Sequence, residues 1–155
     1  MTLPFLPYAK QSINKDDCQA VTAALKEEWI TRGPLVQQFE QALAEYCEVP
    51  YAVVFNSGTA ALMAAYFAAR LTAFDRVIST PNTFIATVGA PVQMGIRPRF
   101  VDIDRSTGNL NLLEIQGHLD FYSTRGRPFI IPVHFAGLAL DMAELDRQIC
   151  HPDAV

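Results

Sequence analysis

The chain has 155 residues, half of them hydrophobic, with 12 Lys and Arg against 16 Asp and Glu and a formal net charge of -4; it is long enough to bury a core and sized for one globular unit or a piece of one. No Lys/Arg-rich run offsets that acidic balance, so the clustered positive charge needed to neutralise phosphates is missing and nucleic acid is excluded as a partner. Met1 to Phe5 carries no basic stretch leading into an apolar one, and the longest apolar run, Ala60 to Ala69, stops at Arg70, so nothing here reads as a targeting or membrane-spanning segment.

Asn14 has the chemistry of a helix cap, with Asp16 and Asp17 in the first turn, Ile13 and Cys18 spaced for a staple, and Val21 and Leu25 continuing an apolar stripe toward Glu28. Gly33-Pro34 breaks that helix. A second follows, with Val36, Phe39, Leu43 and Tyr46 sharing a face, and Pro50 closes it. Residues 1–50 therefore read as an N-terminal helical segment.

From Tyr51 the pattern changes to short apolar runs, each followed by a helical stretch. The runs are Tyr51 to Phe55, Arg76 to Ser79, Arg99 to Ile103 and Phe129 to Val133. They lack strict alternation, which suits strands buried on both faces, as in a parallel sheet covered by helices. The fold class is α/β. The helices expected between and after them are Ala60 to Leu71, Thr83 to Met94, Leu112 to His118 and Asp141 to Cys150, the second kinked at Pro91 because proline lacks the N–H that the preceding turn needs. His151 to Val155 reads as the approach to a fifth strand, so residues 51–155 are expected to form part of a larger sheet domain whose edge the rest would cover.

In such a sheet ligands bind beyond the carboxyl ends of the strands. The segments there are Asn56-Ser57-Gly58-Thr59, Thr80 to Phe84, Asp104 to Asn109 and His134 to Gly137. The first joins a strand to a helix N-terminus. Its free N–H groups, a hydroxyl from Ser57 or Thr59, and the helix dipole suit a phosphate, with Gly58 permitting close approach; Ser and Thr there are also ordinary helix caps. Phe84 is placed to lie flat on a planar ligand held by that phosphate, although an aromatic at this point also suits the core. Asp102 and Asp104 alternate along a strand and share a face, which suits a divalent cation of the kind used by nucleotide-sugar glycosyltransferases, or simply a strand end entering a solvated loop. His134 is the one histidine placed for a pocket. His118, His134 and His151 are too far apart for a structural zinc, and no metal site is predicted. Arg97, Arg99, Arg125 and Arg127 flank prolines at loop-to-strand junctions and read as solvated charge. Cys18, Cys47 and Cys150, an odd number without CxxC spacing, fit free buried thiols in a reducing compartment, by default the cytoplasm. Neither a Gly-x-Ser-x-Gly elbow nor a Walker loop is present.

The ordered set Tyr8, Trp29 to Pro34, Phe39-Glu40, Asn56 to Leu62, Thr80 to Thr87, Phe100 to Asp104 and Pro132 to Gly137 resembles the DegT/DnrJ/EryC1/StrS sugar aminotransferases over nearly the whole chain. Within that family it is most similar to the enzymes that aminate a UDP-linked 4-keto-6-deoxy sugar on the pseudaminic acid route, the UDP-4-amino-4,6-dideoxy-N-acetyl-beta-L-altrosamine transaminases. The resemblance implies the large domain of a type I pyridoxal-phosphate fold, a cytoplasmic homodimer, and a ping-pong transfer of an amino group from glutamate to a nucleotide-linked keto sugar for cell-surface glycans. It further implies that Gly58 and Thr59 hold the cofactor phosphate, that Phe84 stacks on the pyridine ring, and that Tyr8, Trp29, Ile30 and Thr31 line the substrate pocket. His134 matches a position near that pocket. Asp102 and Asp104 match residues that are not metal ligands, which counts against the glycosyltransferase reading.

Such chemistry needs a lysine to hold the cofactor covalently and an acid to keep the ring nitrogen protonated. The family carries both beyond the region matched here. The lysines of this chain are Lys10, Lys15 and Lys26, all ahead of the first expected strand, so no catalytic residue is assigned. The chain alone is expected to be inactive and to hold pyridoxal phosphate weakly or not at all. Service as an assembly partner for a separately encoded C-terminal half is the non-enzymatic alternative.

Overall fold

The computed structural model describes residues 5, 7, 9–120 and 126–149, with nothing described of the Asp120 side chain. The chain divides into two compact units, Met1–Val54 and Phe55–Val155.

In the first unit, α1 (Lys15–Ala24) begins at Asn14, whose Oδ1 accepts from the N–H groups of Asp16 and Asp17 at 2.7 and 3.2 Å, while its own N–H donates to Asp17 Oδ2 at 2.8 Å. This reciprocal box satisfies donors that a helix start leaves open. The helix stops well short of Glu28. Its apolar stripe is exposed, Val21 at 62% and Leu25 at 64%, and the expected staple is open because Ile13 and Cys18 are both exposed. Cys47 is exposed as well, so the two described thiols are not the buried ones that composition suggested; Cys150 lies outside the described residues. Helix α2 (Pro34–Tyr46) has its proline at the first position, where no N–H is missed, and buries Ala44.

Tyr51 to Phe55, expected as the first strand, has no strand pairing in the structure. Tyr51 and Val53 are 87% and 68% exposed, and the Val54 N–H donates to Glu40 Oε1 at 3.1 Å rather than to a neighbouring strand. A β-prone run supplies only one side of a ladder. Without a partner strand its backbone takes what acceptors are near.

The second unit runs α3 (Gly58–Ala68), β1 (Arg76–Ser79), α4 (Ala86–Gln93), β2 (Arg99–Phe100), α5 (Leu112–Asp120), β3 (Pro128–Ile130) and α6 (Met142–Gln148). The sheet is fully parallel in the order β2-β1-β3, with Ile78 opposite Arg99 and Val77 opposite Phe129. Strand β1 is central and all four of its residues are buried. Because successive strand side chains point to opposite faces, Val77 and Ile78 feed separate cores. Ile78 joins Val101, Leu110, Ile115, Leu119, Leu140 and Leu145 beneath α5 and α6. Val77 joins Tyr66, Leu71, Ala90, Ile96 and Phe129 beneath α3 and α4. The doubly covered parallel sheet expected from the apolar runs is thus present, with β2 and β3 shorter than expected. After β2 the chain makes one antiparallel bridge, Ile103 to Leu110, and turns back.

Pro91 lies inside α4 and cannot donate to the carbonyl of Thr87. That oxygen instead accepts from the buried Tyr66 hydroxyl at 2.7 Å, so a side chain of α3 replaces the missing helical bond. At the opposite end of the sheet from the loops discussed below, Arg127 departs from the solvated-charge reading. Its guanidinium pairs with the buried Asp75 carboxylate at 3.2 Å, donates to Arg70 O at 2.7 Å and lies 5.1 Å from the Phe129 ring centre. Asp75 also accepts from the Thr72 N–H and hydroxyl, each at 2.8 Å. Burial pushes the Asp75 carboxyl up, but the bonds from Arg127 and Thr72 outweigh it and hold the group below the ordinary carboxylate range.

Candidate active-site elements at the carboxyl ends of the strands

Helix α3 starts directly after Ser57, whose backbone is extended and whose Oγ accepts from the Ala60 N–H at 3.2 Å. The hydroxyl is therefore spent on the third amide of the turn. The N–H groups of Gly58 and Thr59 have no acceptor among the described residues, both residues are exposed, and a Cβ built on Gly58 would meet nothing within 4 Å. Two outward amides, an open approach and the positive end of a helix are the requirements of an anion cradle. Phe84 follows β1 just ahead of α4 and is 73% exposed, as is its neighbour Ile85 at 70%, so the ring belongs to the surface rather than to the core.

The loops after the three strands are tied together by side-chain amides. Thr80, fully buried, directly follows β1, and Asn82 Nδ2 donates to Gly108 O in the next loop at 3.0 Å. Asn109, 2% exposed, reaches the loop after β3: Oδ1 accepts from the Phe135 N–H at 2.7 Å and Nδ2 donates to Leu138 O at 2.9 Å. His134 is exposed, and its Nδ1 accepts from the Leu140 N–H at 3.0 Å. Asn82 and Asn109 lie inside two of the segments read from the sequence, but their bonds span 26 and more residues and have no local signature.

Asp102 and Asp104 are committed to their own loop. Asp102 Oδ1 accepts from the Ile103 N–H at 2.8 Å; Asp104 Oδ1 accepts from the N–H and hydroxyl of Ser106 and from the Thr107 N–H. The Ser106 hydroxyl bond is the main reason the Asp104 carboxyl sits below its ordinary range. Among the described residues no group of three or more His, Cys, Asp and Glu gathers. Trp29, Ile30 and Thr31 belong to the first unit, where all three are exposed and Trp29 lines a hollow of about 490 Å³ with Glu27, Glu28, Arg32, Gly33, Pro34 and Gln37. Arg32 takes φ +53, and a Cβ on Gly33 would stand 2.0 Å from Trp29 O, so the turn requires glycine there. Tyr8 lies outside the described residues. In the second unit a groove of about 770 Å³ runs along Pro98, Arg99, Phe100, Leu113, Glu114, Gly117 and His118.

The model of the DegT/DnrJ/EryC1/StrS aminotransferase family matches residues 11–154. The chain belongs to that family. Among curated relatives it is 38% identical to the spore coat polysaccharide biosynthesis protein SpsC of Bacillus subtilis, over 89% of this chain and 34% of that protein. It is 37% identical to the UDP-4-amino-4,6-dideoxy-N-acetyl-beta-L-altrosamine transaminase of Campylobacter jejuni, over 90% of this chain and 36% of the enzyme. In structure it resembles a putative sugar aminotransferase, Spr1654, of Streptococcus pneumoniae, solved in PMP- and PLP-forms; for the PMP-form the TM-score is 0.83 at 27% identity, covering 92% of this chain and 35% of that one. The chain spans about a third of the length of the curated relatives it matches. Among the described residues no helix is long and apolar enough to cross a membrane. Membership of an aminotransferase family, together with the engagement of Asp104 in its own turn, leaves the glycosyltransferase reading without support.

Proposed function

We propose that this chain carries the cofactor-phosphate end and part of the substrate pocket of a pyridoxal-phosphate-dependent aminotransferase that moves an amino group from glutamate to a nucleotide-linked 4-keto-6-deoxy sugar. The observation that carries the reading is the open first turn of α3, two unpaired amides with clear space above Gly58, in a chain of this family. The residues present fit the group. Gly58 and Thr59 would bind phosphate oxygens through N–H donors, and Phe84, whose ring is exposed, would cover one face of the cofactor ring. When bound, pyridoxal phosphate supplies an electron sink that lets an amino group pass between a donor and a ketone. Tyr8, Trp29, Ile30 and Thr31 are the candidates for contact with the sugar nucleotide. Lys10, Lys15 and Lys26 all belong to the first unit, and none is given the covalent role.

The test uses the chain labelled with ¹⁵N and titrated with inorganic phosphate and with pyridoxal 5'-phosphate. The amides of Gly58 and Thr59 should move with both ligands, and the Phe84 ring with the second alone. Gly58→Ala should fold with unchanged stability, since its methyl meets no protein atom, yet weaken both titrations about tenfold by crowding the approach. Binding that leaves these amides unmoved, or that Gly58→Ala does not weaken, sinks the reading. Borohydride reduction in the presence of pyridoxal phosphate, followed by mass spectrometry, should give no adduct at a unique lysine; one uniquely labelled lysine would reverse the assignment of the covalent role.

A further inference from the structure

Asn109 is a buried carboxamide whose two ends meet two groups of fixed polarity. The Phe135 N–H can only donate and the Leu138 carbonyl can only accept, so the amide has one orientation, with Oδ1 at 2.7 Å from the first and Nδ2 at 2.9 Å from the second. These partners bracket the tight turn Phe135–Gly137, in which Ala136 takes φ +52 and Gly137 φ +81. A non-glycine residue held at positive φ persists only where its surroundings enforce it. Asn109 supplies that enforcement from another loop. Gly108 adds to it: a Cβ there would stand 2.7 Å from the Phe135 ring, so the ring packs directly on the glycine backbone. Asn82 in turn holds Gly108 through its carbonyl at 3.0 Å.

The bracketed turn separates His134 from the residue its ring engages. The Leu140 N–H can only donate, so His134 Nδ1 at 3.0 Å must be the unprotonated nitrogen, and the ring proton sits on Nε2. His134 is exposed, and Nε2 has no partner among the described residues. From these bonds we infer that Asn109 is a positioning residue: by closing the 135–138 turn it holds the Leu140 N–H on His134 Nδ1, and so presents the imidazole at the carboxyl end of the sheet as a single Nε2–H donor. That this donor faces an acceptor oxygen of the bound cofactor or substrate rests on the pocket reading above. The tautomer itself does not.

The experiment is two-bond ¹H–¹⁵N correlation of the imidazoles in the ¹⁵N-labelled chain, at a pH above the ordinary histidine range, with hydrogen exchange at the Leu140 amide. The wild-type chain should show His134 as the Nε2–H tautomer alone, with Leu140 protected. Asn109→Ala should mix the tautomers and speed Leu140 exchange at least about tenfold, while amides of β1 keep their protection. Asn109→Asp retains an acceptor for Phe135 but loses the donor to Leu138, and should fall between the two; it serves also if the alanine variant does not fold. Two tautomers in the wild type, or an unchanged tautomer and unchanged Leu140 exchange in the variants, overturns the inference. Titration of the wild type with pyridoxal 5'-phosphate reads the pocket separately. A single tautomer whose Nε2–H does not move with the ligand retains the positioning role and rejects the ligand-facing one.

Discussion

Removing the Tyr66 hydroxyl isolates a single bond whose need can be traced to another residue. Pro91 has no N–H, so the Thr87 carbonyl loses its helical donor and depends on Tyr66 at 2.7 Å. Both residues are buried, at 6% and 8% exposure, so water cannot take over. Tyr66→Phe keeps the ring and its packing and leaves one buried carbonyl unsatisfied, which costs about 1–3 kcal/mol. Pro91→Ala in the Tyr66→Phe background restores an N–H aimed at Thr87 O and should be at least about 1 kcal/mol more favourable there than in the wild-type background. In the wild-type background the same change gains nothing from the bond, while the looser unfolded chain and the lost packing of the fully buried ring make it destabilising. Urea unfolding followed by circular dichroism, with equal slopes across the four proteins, measures the cycle. A Tyr66→Phe cost within about 0.5 kcal/mol of zero, or a Pro91→Ala effect identical in both backgrounds, refutes the argument. Burial also raises the Tyr66 hydroxyl above its ordinary value of 10.0. Protonated Tyr66 is the folded form, so its contribution is complete below the ordinary value and is lost as pH climbs through the raised one. The alkaline limb of stability should therefore be shallower in Tyr66→Phe.

Asp75→Asn keeps the shape of the carboxylate but removes the charge that Arg127 and Thr72 bind. It should cost about 2 kcal/mol at neutral pH, at the low end for such pairs because the Arg127 side chain is 40% exposed. The folded Asp75 carboxyl titrates below the ordinary carboxyl value of 3.8, so its stabilisation is complete above that value and is lost as pH falls through the lower folded one. Acid unfolding of the asparagine variant should be correspondingly flatter. Gly33→Ala drives a methyl to 2.0 Å from Trp29 O; the turn must shift, and local hydrogen exchange at Val36 and its neighbours in α2 should accelerate while amides of β1 in the second unit are unaffected. Equal protection of α2 in the variant and the parent contradicts the close approach.

Features carried by a few adjacent residues were legible in the sequence. The caps at Asn14 and Ser57 accept N–H groups two or three residues away. The buried run Arg76 to Ser79 became the central strand, and the motif residues placed the chain in its family. A local pattern suffices there because the partners are local. Tyr51 to Phe55 was misread because a strand exists only where a second strand meets it. The Arg127–Asp75 pair, 52 residues apart, the Tyr66 hydroxyl on Thr87, 21 apart, and the Asn109 carboxamide across the 135–138 turn were invisible for the same reason. Sequence by itself determined the family, the α/β layers and the loops after β1, β2 and β3 that side-chain amides tie together. Tertiary structure decided which polar groups in those segments are already spent on one another, as at Asp104 and Asn109, and which, as at Gly58, Thr59 and His134 Nε2, have no partner among the described residues; hydrogen-bond capacity is a property of the residue, but its availability depends on what the fold brings within about 3 Å.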